Sequence, residues 1–123
     1  MASRFSMTQH ASLTLERWSQ FTLDQQVVMI ANEMNRASKV LGHGDDIRRK
    51  NAYERALSLV DLTIKANTGR GLRRELLRWR DLIAELYCRG ASAPEEHAAA
   101  FRALLRFTPA AWRQIQYLAA NGR

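Results

Sequence analysis

Apolar residues recur along this chain at steps of three and four. Leu23, Val27, Ile30, Met34, Ala37 and Leu41 form one stripe, the signature of a helix of about 3.6 residues per turn with one buried face. Asn32, Glu33, Asn35, Arg36 and Lys39 fall mostly off that stripe. Thr22 and Gln25 have the spacing of a capping box, so the helix is expected to start there. Gly42-His43-Gly44-Asp45 stops it, since glycine supplies the left-handed cap and aspartate starts the next helix. Tyr53, Ala56, Leu57, Val60 and Ile64, broadened by Ala52, Leu59 and Leu62, predict a deeply buried helix running to about Ala66. The short connection makes these two helices an antiparallel hairpin.

Asn67-Thr68-Gly69-Arg70-Gly71 breaks the pattern. Leu72, Leu76, Trp79, Ile83 and Leu86 then predict a helix from about Gly71 to Arg89, with Gly90 as its stop. Ser92 and Glu95 repeat the capping spacing, and Pro94 suits a first turn. His97, Phe101, Leu104 and Leu105 carry a shorter helix. Thr108-Pro109 reads as a further start, continued by Trp112, Ile115 and Ala119. A short helix is expected within Leu13–Gln20, with Leu15 and Trp18 facing inward. No segment alternates with period two. The expectation is an all-α fold: an antiparallel four-helix-type bundle with short extra helices. A polar arm over residues 1–12 precedes one domain over 13–123. Tyr53-Glu54-Arg55-Ala56-Leu57 invites comparison with tetratricopeptide helices, but no second copy follows at that period.

Composition adds a sign to this picture. The chain has 123 residues, 46% of them hydrophobic, with 19 Lys+Arg against 12 Asp+Glu and a formal net charge of +7. Such a surplus favours anionic partners and is silent about fold. Sixteen of the cations are arginine and three are lysine; arginine's planar fork binds phosphate bidentately, although GC-rich coding yields the same bias. No apolar run is long enough for a membrane span, and the polar start predicts no secretory signal. Cys88 is the single cysteine. That fits a reducing cytosol, and its apolar neighbours predict a small buried hydrophobe.

Catalytic and metal chemistry find little support. There is no Gly-rich phosphate loop, Cys/His cluster or Ser-His-Asp order. Glu33, Asp61, Glu75 and Glu85 lie on three long helices, but the Glu-x-x-His spacing of dimetal bundles is missing. These acids are expected to pair with nearby bases, Glu54 with Lys50 or with the arginines of the next helix. No cofactor or metal is expected. The densest feature is Arg70, Arg73, Arg74, Arg78 and Arg80 against one acid, Glu75. Arg70, Arg74 and Arg78 form one i,i+4 row that can track phosphates; Arg73 and Arg80 form a second. Arg48, Arg49 and Lys50 make another cluster, and Arg102, Arg106, Arg113 and Arg123 add charge towards the C-terminus. A solvated helix face or salt bridging between subunits would account for the same residues. Trp79 lies in the core stripe, so backbone contact is expected rather than base readout.

Arg36 and His43, six residues apart, resemble the Arg-x4–6-His signature of the HEPN ribonucleases, in which such a pair serves metal-independent RNA cleavage at a dimer interface. Tyr53-Glu-Arg-Ala-Leu-Ser-Leu-Val-Asp-Leu-Thr-Ile64 and Arg74-Glu-Leu-Leu-Arg-Trp-Arg-Asp-Leu-Ile-Ala-Glu-Leu-Tyr87 resemble a family of small bacterial helical proteins. That resemblance covers roughly residues 15–90 and implies a helical domain without an activity. In size, charge and helical pattern the chain is also similar to the accessory proteins of diversity-generating retroelements and the intervening-sequence proteins of ribosomal RNA genes. This likeness implies a homo-oligomeric, nucleic-acid-binding bundle with a reverse transcriptase as partner. The expected function is a non-catalytic accessory subunit of an RNA- or DNA-processing complex, with a scaffold module on an acidic protein, or a HEPN-type RNase, as the alternatives.

Overall fold

The computed structural model describes residues 13–42, 44–89, 94–109 and 113. Its helices are α1 (Leu15–Trp18), α2 (Leu23–Val40), α3 (Asp46–Ala66), α4 (Arg70–Arg89) and α5 (Pro94–Leu105). Among the described residues there is no strand, and the fold is all-α. The arm 1–12, His43, Gly90, the Ser92 cap, Trp112, Ile115, Ala119 and Arg123 lie outside the described residues.

Local chemistry sets the helix starts. The Thr22 amide donates to Gln25 Oε1 at 2.8 Å, and the Gln25 amide donates to Thr22 Oγ1 at 3.1 Å. Both halves of the capping box are therefore made, satisfying amides that the first turn leaves unpaired. Asp45 caps α3, accepting from the Arg48 amide at 3.3 Å. Between α2 and α3, Gly42 and Gly44 have φ of +78° and +74°, a conformation that glycine adopts at little cost.

The long helices close on one another in a ring. α3 packs between α2 and α4, and α5 packs on both α4 and α2. Cross-helix bonds fix the directions. Glu33 meets Arg55 and Gln26 meets Asn67, so α2 and α3 run antiparallel. Arg80 meets Asp61 and Arg73 meets Ile64, so α3 and α4 do too. The interior joins Val27, Ile30 and Met34 of α2, Tyr53, Ala56 and Val60 of α3, Leu76, Trp79 and Ile83 of α4, and Leu104 and Leu105 of α5. α1 plugs the end of this bundle with Trp18, which is fully buried and donates its indole N–H to Thr63 Oγ1 at 3.0 Å. Trp79 pins α5 to α4 through a 2.8 Å bond from its indole N–H to the Ala100 carbonyl.

Two residues expected to be buried, Cys88 and Leu15, are not. Cys88 is exposed. The α4 core stripe ends at Leu86, and a residue two positions further lies about 200° around the helix, on the water side. Leu15 is 41% exposed, and Trp18 alone carries the burial of α1.

Candidate anion-binding surface

The two arginine rows of α4 have different fates. Arg70 and Arg74 are exposed, one turn apart, and neither makes an ion pair with a described residue. Arg78 continues the row with its side chain 68% exposed, Nη1 lying 3.0 Å from Glu75 Oε2. The second row turns towards α3. Arg80 donates from Nε and Nη2 to the two oxygens of Asp61, at 2.6 and 3.3 Å. This bidentate bond pushes the Arg80 pKa above its ordinary value. Arg73 donates to the Ile64 carbonyl at 3.3 Å and remains exposed. The first turn of α4 contains no acidic residue, although a helix N-terminus favours negative charge. Its cations face an unfavourable dipole that an anion would offset.

Arg48, Arg49 and Lys50 do not form a single patch. Successive helical residues diverge by about 100°, so a run of three cannot share one face. Arg48 is exposed, with Nε 3.3 Å from Asp45 Oδ2. Arg49 is only 3% exposed, which corrects its assignment to a phosphate-contacting surface. Its Nε donates to Asp46 Oδ1 at 2.9 Å, and Nη1 donates to the Leu86 carbonyl at 3.0 Å. Nη2 lies 2.8 Å from the same Asp46 oxygen without a well-directed hydrogen. The guanidinium also sits 5.5 Å from the centre of the Tyr53 ring. Arg49 therefore ties the start of α3 to a carbonyl in the last turn of α4. Asp46 is held below the usual carboxylate range, first by its bond from Arg49. Lys50, half-buried, lies 3.7 Å from Asp46 and 5.8 Å from the centre of the Tyr87 ring.

The acids take partners close by. Glu33 pairs with Arg36 and Arg55, Glu75 with Arg78, and Glu85 with Arg89, which also pairs with Glu96. Glu54 meets neither Lys50 nor an arginine of α4; it accepts from the Tyr87 hydroxyl at 2.7 Å. That bond pushes the Tyr87 pKa up. Among the described residues no group of three or more His, Cys, Asp and Glu could hold a metal ion. No helix there is long and apolar enough to cross a membrane.

Sequence reasoning missed a basic groove between α2 and α3. Arg36, Lys39 and Val40 line it from α2; Arg48, Asn51 and Arg55 line it from α3; its volume is about 490 Å³. The signal was present, because a short turn between antiparallel helices places the end of α2 beside the start of α3. Spacing along one helix at a time concealed it.

His97, expected in an apolar stripe, is the hub of a buried polar cluster. It is 2% exposed. Nε2 lies 3.0 Å from the Met34 carbonyl and 2.8 Å from Ser38 Oγ, and Nδ1 lies 2.8 Å from the Tyr53 hydroxyl. Since a carbonyl can only accept, Nε2 carries the proton and Nδ1 accepts from Tyr53. Burial pushes the His97 pKa below its ordinary value and the Tyr53 pKa above its own.

Comparison with known proteins brings no match. No family model, curated protein or solved structure is significantly similar to this chain.

Proposed function

We propose that this chain is a non-catalytic basic helical bundle that grips the phosphate backbone of a nucleic acid, as an accessory subunit of an RNA- or DNA-processing complex. The observation that carries the reading is the pair Arg70 and Arg74, exposed, one turn apart and without an ion pair among the described residues. Arg78 and Arg73 flank that pair. A first turn with no acid and a net charge of +7 supply the surrounding field. Arginines one turn apart, with about 5.4 Å of rise between them, carry side chains long enough for each to reach a phosphate of the same strand. The row carries no aromatic platform, so contact is with the backbone rather than with bases.

Titration of a fluorescent structured RNA and a DNA duplex across a salt series tests this. Binding is expected to weaken steeply as salt rises. Arg70→Gln with Arg74→Gln is expected to reduce the slope of log K against log salt by about two, near 0.9 for each phosphate no longer neutralised. An unchanged slope, or no binding at low salt, overturns the reading.

A second reading, a scaffold for an acidic protein, is favoured by Leu77 and Leu82. They are 45% and 48% exposed on the same helix as these arginines. Co-purification of a protein that survives nuclease treatment would support it.

A further inference from the structure

The groove between α2 and α3 is built differently from the open row on α4. Four cations line it: Arg36, Lys39, Arg48 and Arg55. Behind them lies Glu33, whose side chain is 5% exposed. Its Oε2 accepts from Arg36 Nη1 at 2.6 Å and its Oε1 accepts from Arg55 Nε at 2.8 Å. One buried carboxylate thus orients two guanidiniums from two helices and neutralises only one of them.

Donors remain after that pairing. Arg55, with its side chain 15% exposed, uses Nε on Glu33, and neither of its Nη atoms donates to a described residue. Arg36 has spent one Nη, and its side chain is 60% exposed. Lys39 is exposed and pairs with no described residue. Among the described residues Arg48 pairs with Asp45 alone. Against the four cations stand Glu33 and Asp45, so the groove keeps a surplus of two positive charges. Asn51 adds an amide, and Val40 an apolar wall.

We propose that this groove binds a small phosphorylated molecule through a phosphoryl group carrying two or more negative charges, a nucleoside polyphosphate being the size that fits. Three features select that chemistry. Planar guanidinium forks match phosphate oxygens bidentately. The Glu33 bonds hold Arg36 and Arg55 in place before a ligand arrives, which lowers the entropy lost on binding. The volume, about 490 Å³, lies within the range of small-molecule sites. The surplus charge of two suits a pyrophosphate moiety better than a single carboxylate or a diester. The site is independent of the arginine row on α4, and either can fail without the other.

Calorimetry at constant ionic strength is the test, with pyrophosphate, ATP and adenosine as probes. Pyrophosphate and ATP are expected to bind once per chain, and adenosine not at all. Lys39→Gln with Arg48→Gln removes two exposed cations and leaves the Glu33 pairs intact; it is expected to weaken ATP binding at least tenfold. Lys39→Glu, a single exposed change, is expected to act in the same direction. Arg70→Gln with Arg74→Gln is expected to leave ATP binding unchanged. Absence of pyrophosphate and ATP binding at millimolar concentration overturns the proposal, as does binding indifferent to the Lys39 and Arg48 changes. A trinucleotide with internal diesters only, if it displaced ATP more effectively than pyrophosphate does, would overturn it too, making the groove part of a polynucleotide track.

Discussion

Two helices of this bundle open on nearly the same residue type, and the chain treats them in opposite ways. α3 begins Asp46-Ile-Arg-Arg-Lys50 behind the Asp45 cap; α4 begins Arg70-Gly-Leu-Arg-Arg74. At α3 each cation finds a carboxylate one turn back: Arg48 on Asp45, Arg49 and Lys50 on Asp46. Acids also sit where the helix dipole favours them. At α4 the first turn holds no acid, and Arg70 and Arg74 stay in water. One start is locally self-consistent, while the other breaks the dipole rule without a compensating partner among the described residues. Departures of that kind concentrate at functional surfaces. Counting arginines therefore says less than asking which of them already has a carboxylate.

The sharpest way to break this contrast is to remove one arginine from each start. Arg49→Ala takes away the buried donor to the Leu86 carbonyl, frees Asp46 of its partner and opens space beside Tyr53. It is expected to destabilise the fold by about 3 kcal/mol. Arg70→Ala is expected to stay within about 0.5 kcal/mol of the parent. Urea unfolding of the two variants decides. Equal losses would mean that Arg49 is no more structural than Arg70.

The helical hairpin and the helix starts were legible because they depend on local chemistry. Thr22 and Gln25, Gly42 and Gly44, and the stripe Leu76, Trp79, Ile83 and Leu86 act within a few residues of one another. The fate of a cation was not legible, because it depends on a partner from another helix. Arg80 and Arg73 share a row, yet Asp61, 19 residues before Arg80, decides that one of them is spent. Arg49 disappeared into the interior for the same reason: Leu86 lies 37 residues away. His97 fits an apolar pattern by position, and only the meeting of α2, α3 and α5 supplies its Met34, Ser38 and Tyr53 partners.

His97 sharpens the comparison from the inside, as a buried polar group whose ring nitrogens are both partnered. The folded state disfavours its charged form, because burial pushes its pKa below the ordinary 6.5 more than the Met34 carbonyl pulls it back. The unfolded chain therefore takes up this proton more readily than the folded chain does. Stability from this group is whole above pH 6.5 and falls as the pH drops below it, by at most about 1.4 kcal/mol per pH unit. Asp46, held below 3.8 by Arg49, contributes stability that is lost only as the pH falls under that value, so the two windows separate. Urea unfolding at pH 7.5 and pH 5.5 is expected to show the loss in the parent and to show it flattened in His97→Gln. Identical pH dependence in both would remove His97 as its source.

A small effect on stability carries the most direct bearing on the two arginine fates. Asp61→Asn leaves the backbone of α3 unchanged but dissolves the bidentate hold on Arg80, whose side chain is already 36% exposed. A partly exposed pair of this kind contributes at most about 1 kcal/mol, so the variant is expected to fold with nearly parental stability. Its net charge rises by one, and Arg80 joins Arg73 in a second row able to meet phosphate. If a free guanidinium on this surface is what recruits a polyanion, nucleic-acid affinity rises and the salt slope steepens by about 0.9. If the arginines of α4 serve only to keep a helix face solvated, freeing one more changes neither quantity. The same titration separates the two outcomes, because a gain of binding cannot arise from a variant that merely folds less well.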